Sequence, residues 1–189
     1  MNQSEFIDNV HKRLAQISIG ASALRNQGAT GLVETARDYL ANSIRIEDFF
    51  EKIENEAEYK RFLNHHTEKL QELFPEGGQS WGAARKALNL FFRELVYNKF
   101  IAEEYRLPLE LEQFNHKVRH LEIPLDKDVA TEIWNKSKEL PKWRSIKTLS
   151  LEVSERYQSK SLEIAQEEDT ARIHLDLIYW RPKKPKPSN

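Results

Sequence analysis

The sequence predicts an all-α protein, and three observations carry that expectation. Apolar residues recur every three to four positions through most of the chain. One stretch, Ala87-Leu88-Asn89-Leu90-Phe91-Phe92, is apolar on nearly every side, as a helix buried in a core must be. The glycine- and proline-bearing stretches fall between these periodic segments.

Taken in order, Phe6, Val10, Leu14 and Ile17 mark a first helix, and Leu32, Val33, Ala36 and Leu40 a second. Ile46 to Leu73 reads as one or two helices, with Phe49, Phe50, Ile53, Phe62, Leu63, Leu70 and Leu73 inward. Pro75-Glu76-Gly77-Gly78-Gln79-Ser80 is the clearest break in the chain. A long helix is expected from about Ala83 to Tyr105, ended by Leu107-Pro108. Residues 107 to 122 lack a clean period and read as a loop with a short helix at most. Pro124 marks the next boundary, before a helix from Lys127 to Lys138. Leu140-Pro141-Lys142-Trp143 is a linker, and Leu151 to Glu168 a further helix. Ala171 to Trp180 is the last packed element, a helix by pattern although Ile173, Leu175 and Leu177 alternate. Residues 1 to 181 should form a single domain, two packed lobes being compatible with it. The basic, proline-rich tail 182 to 189 should be disordered.

Composition narrows the function classes. The chain of 189 residues has no cysteine, which excludes disulfides, zinc–thiolate sites and iron–sulfur clusters. No run approaches the ~18 apolar residues of a membrane span, and the first residues lack the basic and apolar regions of a signal peptide. A cytoplasmic protein with no membrane association is the expectation. Net charge is −1, but it is unevenly spread: six acids and one lysine lie between Glu47 and Glu58, five bases and one acid between Lys136 and Lys147. That asymmetry fits a protein with one phosphate-facing side; exposed helices with ordinary mixed charge would look the same. His65-His66 and the pair His116 and His120 lack acidic partners at metal-ligand spacing, so no metal is expected. No Walker loop, dinucleotide fingerprint or Gly-x-Ser-x-Gly elbow occurs, and no cofactor is expected.

Two stretches carry chemistry. Trp81-Gly82-Ala83-Ala84-Arg85-Lys86-Ala87 puts a lysine just inside a helix, after small residues. Gly82, Ala83 and Ala84 leave room for backbone amides to approach a phosphate, the helix's positive end favours an anion there, and Arg85 adds a cation. Burial and the same helix end favour a neutral Lys86 amine, the form a nucleophile needs; a lysine reaching out to solvent is the plainer alternative. Ile123-Pro124-Leu125-Asp126-Lys127-Asp128-Val129 puts a carboxylate at the start of another helix. Asp126 suits an N-cap, and a rigidly held cap can also present an oxygen to a reacting sugar.

In order and local context these stretches resemble the helix-hairpin-helix DNA glycosylases, whose hairpin reads Gly-x-Gly-x-Lys and whose aspartate follows in Pro-Val-Asp-x-x-Val. Alanine stands at position 84 in place of the second glycine, and residues 99 to 120 lengthen the connection between lysine and aspartate. A longer connection is also a feature of the archaeal 8-oxoguanine branch, which is therefore the nearer likeness. Ile173-His174-Leu175-Asp176 looks like the His-x-Asp segment of that branch. The resemblance spans about residues 60 to 180, with a hairpin over about 58 to 105.

The resemblance implies a compact helix-hairpin-helix glycosylase fold and a monomeric enzyme acting alone on double-stranded DNA that carries a modified base. Lys86 would attack the sugar and form a Schiff base with attendant strand cleavage, and Asp126 would stabilise the cationic sugar. Gly82, Ala83, Ala84, Arg85, Lys142 and Arg144 would hold the DNA. The loop residues Arg25, Asn26 and Gln27 would fill the gap left by a flipped base, and Trp81, His174 and Asp176 would line the base pocket. Oxidised guanine is the implied base, and a modified cytosine of phage DNA stays open. So do two other accounts, a hairpin DNA-binding protein without catalysis and an all-α interaction protein.

Overall fold

The computed structural model describes residues 1–179, so the basic tail expected over 182 to 189 lies outside the described residues. Most helices begin where a side-chain cap stands; the two that follow Gly31 and Arg45 do not. Asn2 opens α1 (Gln3–Ser18) with a capping box shared with Glu5. Asn55 opens α4 (Glu56–Leu73), Ser80 opens α5 (Trp81–Tyr97) and Ser150 opens α9 (Leu151–Glu167). Between these lie α2 (Leu32–Asn42), α3 (Ile46–Lys52), α6 (Lys99–Glu104), α7 (Leu111–Val118) and α8 (Lys127–Lys136). A 3-10 turn at Arg172–His174 runs directly into α10 (Leu175–Tyr179), and a second one lies at Ile146–Thr148. No strand occurs among the described residues, so the fold is all-α.

The expected elements are present, with one open alternative decided and three changes. The segment from Ile46 to Leu73 is two helices, because Asn55 accepts from the Glu58 amide and starts a new one. The long helix expected to Tyr105 breaks at Asn98. Its side chain takes the Phe100 and Ile101 amides and caps α6, the competition with the helix backbone that disfavours asparagine in helix interiors. The last packed element is a 3-10 turn and a helix, and the apparent alternation ends at Leu177, which is 61% exposed. Leu73, expected inward, is also exposed.

Two hydrophobic cores divide the molecule into lobes. The first gathers Leu14, Leu40, Phe49, Leu63, Phe91 and Phe92 from α1 to α5, with Phe49 stacked on Phe92 at 4.4 Å between ring centroids. Each such side chain contributes about 1.5–3 kcal/mol when fully buried. The second gathers Ile123, Val129, Ile133, Leu149, Tyr157, Ile164 and Leu175. Helix α5 joins them. Nearly all of it is buried in the first core, while Trp81 at its start packs against the second.

Candidate active site

Lys86 and Asp126 meet at the seam between the lobes. The Lys86 Nζ lies 3.5 Å from the Asp126 Oδ2. The lysine side chain is 9% exposed and the aspartate 30%. Helix α5 begins at Trp81, two residues earlier than expected, so Lys86 sits in its second turn. Asp126 is the N-cap of α8. Its Oδ1 accepts from the Asp128 and Val129 amides at 3.0 and 3.1 Å, which leaves Oδ2 for the lysine. The same carboxylate therefore caps a helix with one oxygen and pairs with an amine through the other.

The chain leading to Asp126 is buried, extended and has no sheet partner, so its polar groups need other partners. Arg172 donates to the His120 and Leu121 carbonyls. The Gln158 amide accepts from Ile123 N–H at 3.1 Å and donates to the Ile123 carbonyl at 2.8 Å. Glu122 takes two bonds from Arg85 and one from Asn89. Burial pushes the Glu122 carboxyl up, but the neighbouring Arg85 and Arg172 guanidiniums outweigh it and hold the group below the usual carboxylate range.

These contacts correct two assignments. Arg85 is 2% exposed, and its guanidinium is spent on Glu122, Thr67 and Asn64, with Trp81 stacked at 5.0 Å. It has no path to a phosphate. Gly82, Ala83 and Ala84 are not a phosphate cradle either. They form the buried first turn of α5, and the Ala83 amide is taken by the Ser80 hydroxyl. Glycine is needed at 82 because a Cβ there would press into the Ile146 carbonyl and stand 2.7 Å from the Leu149 Cβ. The exposed turn is Glu76-Gly77, before the helix.

Past Lys86, a stripe of α5 at helical spacing stays partly open: Leu90, Arg93, Glu94 and Tyr97. It faces the last segment of the second lobe. Arg93 pairs with Asp176, and the Tyr97 hydroxyl meets the His174 Nδ1 at 2.6 Å. The His174 ring packs against both Tyr97 and Phe114, 5.6 Å from each, and these two rings also touch each other at 6.4 Å. Burial pushes the Asp176 carboxyl up against the pull of Arg93, and it feels both Asp126 and Lys86. Burial pushes the His174 imidazole down. Asp176 is thus within electrostatic reach of the Lys86–Asp126 pair, whereas His174 is packed into an aromatic cluster further along the seam. Arg93 and Tyr97 escaped the sequence reading, although they lie seven and eleven residues after Lys86 and so share its face. Trp81 is half-buried and packs against the second core.

The remaining expected contacts lie on exposed loops. Arg25 and Asn26 are exposed, but Gln27 is turned inward at 4% exposure and donates to the Arg25 carbonyl. Gln27 is therefore not poised to fill a gap in a duplex. The loop after α1 approaches the turn before α5 so closely that Gly28, at φ +100°, has no room for a Cβ between the Gly77 carbonyl and the Lys147 amine. Lys142, Arg144 and Lys147 are exposed and form no ion pair among the described residues. The 76–77 turn and Lys147 are thereby brought against the loop that carries Arg25. A separate cleft of about 750 Å³, lined by His116, Arg119, Asp169 and Arg172, does not reach Lys86. No helix of the described residues is long and apolar enough to cross a membrane.

Compared with protein-family models, curated proteins and solved structures, the chain matches none.

Proposed function

We propose that this protein is a DNA glycosylase that excises a damaged or modified base by lysine chemistry, with associated strand cleavage at the abasic site. The observation that carries the reading is the Lys86–Asp126 pair, a primary amine 3.5 Å from a fixed carboxylate at the seam of two lobes. In the reaction, Asp126 takes a proton from the Lys86 ammonium. The neutral amine attacks the sugar C1′, the base departs, and the sugar opens to an imine on Nζ. Asp126 also stabilises positive charge on the sugar as the base leaves. The imine acidifies C2′, and loss of that proton expels the 3′ phosphate.

DNA would lie across the face where the loop carrying Arg25, the 76–77 turn and Lys147 converge, with Lys142 and Arg144 beside it. Arg25, Lys142, Arg144 and Lys147 are exposed cations that form no ion pair among the described residues, as phosphate contacts require, while the turn itself carries the exposed carboxylate of Glu76. The target nucleotide would enter between the lobes beside Lys86, Arg93 and Asp176. Oxidised guanine and a modified cytosine of phage DNA are the two bases to try first.

A duplex bearing a preformed abasic site tests the chemistry without knowledge of the base. Borohydride should reduce the imine to a stable secondary amine and leave protein covalently on the DNA. Lys86→Gln should abolish that adduct while keeping the fold. An adduct that persists in folded Lys86→Gln removes Lys86 from the reaction. One observation favours a second reading, a DNA-binding protein without catalysis: the Lys86 side chain is only 9% exposed and already paired. Tight duplex binding without any adduct would select it, and absence of duplex binding at low salt would leave an interaction protein as the better account.

A further inference from the structure

We infer that Gln158 is a positioning residue for Asp126, and this rests on the reading of Lys86 and Asp126 as the reacting pair. The cap on α8 fixes Asp126 only relative to its own helix. Its approach to Lys86 depends on the chain that delivers it. Gln158 is 4% exposed on α9, and its amide matches the Ile123 peptide in both directions, one donor to one acceptor each way. Pro124 follows with its φ fixed by the ring, and Leu125 is buried at 3% exposure. The orientation set at Ile123 is therefore carried through two constrained residues to Asp126.

Arg85–Glu122 anchors the same segment to α5 one residue earlier, beside Lys86 in sequence. Arg172 holds the His120 and Leu121 carbonyls before it. Gln158, from the other lobe, is the anchor nearest to Asp126 among these, and without it the chain after Glu122 would be free to pivot. Gln158 touches neither Lys86 nor Asp126, carries no charge and is buried away from any DNA surface. Its removal acts on the reaction only through where Asp126 stands, and a displacement of about 1 Å can cost about 100-fold in rate.

The test uses the full chain, the abasic duplex and borohydride. Gln158→Leu keeps the side chain's bulk and removes both bonds to Ile123. Its trapping rate per folded molecule, at saturating duplex, should fall tenfold or more, with duplex affinity within twofold of wild type. Tyr157→Phe, on the same helix, loses the hydroxyl bond to the Pro141 carbonyl and serves as the control. It should lower the melting temperature and leave the trapping rate per folded molecule within twofold. Gln158→Glu, which keeps the acceptor for Ile123 N–H, covers the case in which Gln158→Leu fails to fold, and should lose less. Wild-type rates in the folded Gln158 variants, or an equal loss in Tyr157→Phe, overturn the inference. If wild-type protein forms no adduct, the lysine chemistry fails, and the crystal structure of Gln158→Glu decides the positioning. Asp126 displaced from Lys86 supports it, and Asp126 unmoved overturns it.

Discussion

Replacing Asp126 by asparagine and by alanine separates its two roles. Asparagine keeps an oxygen in the place of Oδ1, so the bonds from the Asp128 and Val129 amides survive. It puts an NH2 group opposite the Lys86 ammonium in place of Oδ2. The pair is neither fully buried nor open, with side chains 9% and 30% exposed. Surface pairs contribute at most about 1 kcal/mol and broken buried pairs cost about 3–5, so about 1–2 kcal/mol is expected here. Alanine loses the cap as well, about 1 kcal/mol more. For a chain of this size each kcal/mol lowers the melting temperature by about 2–4 °C. The reaction should respond otherwise. Both variants lack the carboxylate that takes the proton and faces the sugar, so both should trap on an abasic duplex about 100-fold more slowly, a barrier increase of about 2.7 kcal/mol. Denaturant melts give the stability ladder, and trapping time courses per folded molecule give the rates. A folded Asp126→Asn that traps within threefold of wild type refutes a chemical role and leaves Asp126 as a helix cap.

Gly82→Ala should destabilise the fold by about 1–3 kcal/mol in urea melts, because the new Cβ meets the Ile146 carbonyl, whereas the same change in an exposed helix would stabilise by about 1 kcal/mol. A stabilised variant contradicts the close approach of the 146–148 turn. Glu122 contributes an acid limb to stability. Its folded pKa lies below the ordinary value of 4.5, so the unfolded chain takes up the proton first, and the contribution is complete above that pH and lost as pH falls through the folded value. Melting temperature measured from pH 7 downward should therefore fall less steeply below pH 4.5 in Glu122→Gln than in wild type. Reversing Lys142 and Arg144 to glutamate should weaken binding to any duplex and flatten the slope of log affinity against log salt by up to about two units. An unchanged slope makes this stretch an ordinary solvated face.

Helix positions were legible in the sequence because they depend on local signals, namely apolar period, caps and breakers. Asn98 shows the limit. It sits inside a continuous helical period, and only its side-chain bonds to the Phe100 and Ile101 amides divide the helix. The candidate site was legible in part. Lys86 and Asp126 could be paired from their contexts 40 residues apart, since a lysine among apolar residues and an aspartate after a proline each constrain their surroundings. What surrounds them could not. Glu122 lies beside Ile123-Pro124 and Gln158 in the middle of α9, and nothing local distinguishes either from a solvated side chain. Their roles follow from an extended segment that has to be bonded from outside itself. Arg85 failed for the same reason: a cation beside small residues reads as a phosphate contact until a buried carboxylate from position 122 claims it.

The neighbours Arg85 and Lys86 show how the fold could reserve one cation for chemistry. Successive residues of a helix point about 100° apart, so one side chain enters the first core while the next reaches the seam. The buried place demands a guanidinium. Its planar fork meets Glu122 with two bonds and Asn64 and Thr67 with two more, which a single ammonium cannot do, and it stays charged however dry its surroundings. That permanence makes arginine useless as a nucleophile. In the proposed chemistry the seam needs the opposite property, an amine that can give up its proton to Asp126 and attack. With Glu122 neutralising Arg85, the buried charge beside Lys86 is balanced within the core, and Asp126 is left to pair with the lysine alone. An exchange of the two residue types would leave Glu122 under-bonded in the core and put a guanidinium that cannot be deprotonated at the seam. On this reading the identities at 85 and 86 are fixed by opposite requirements at consecutive positions that face different ways on one helix.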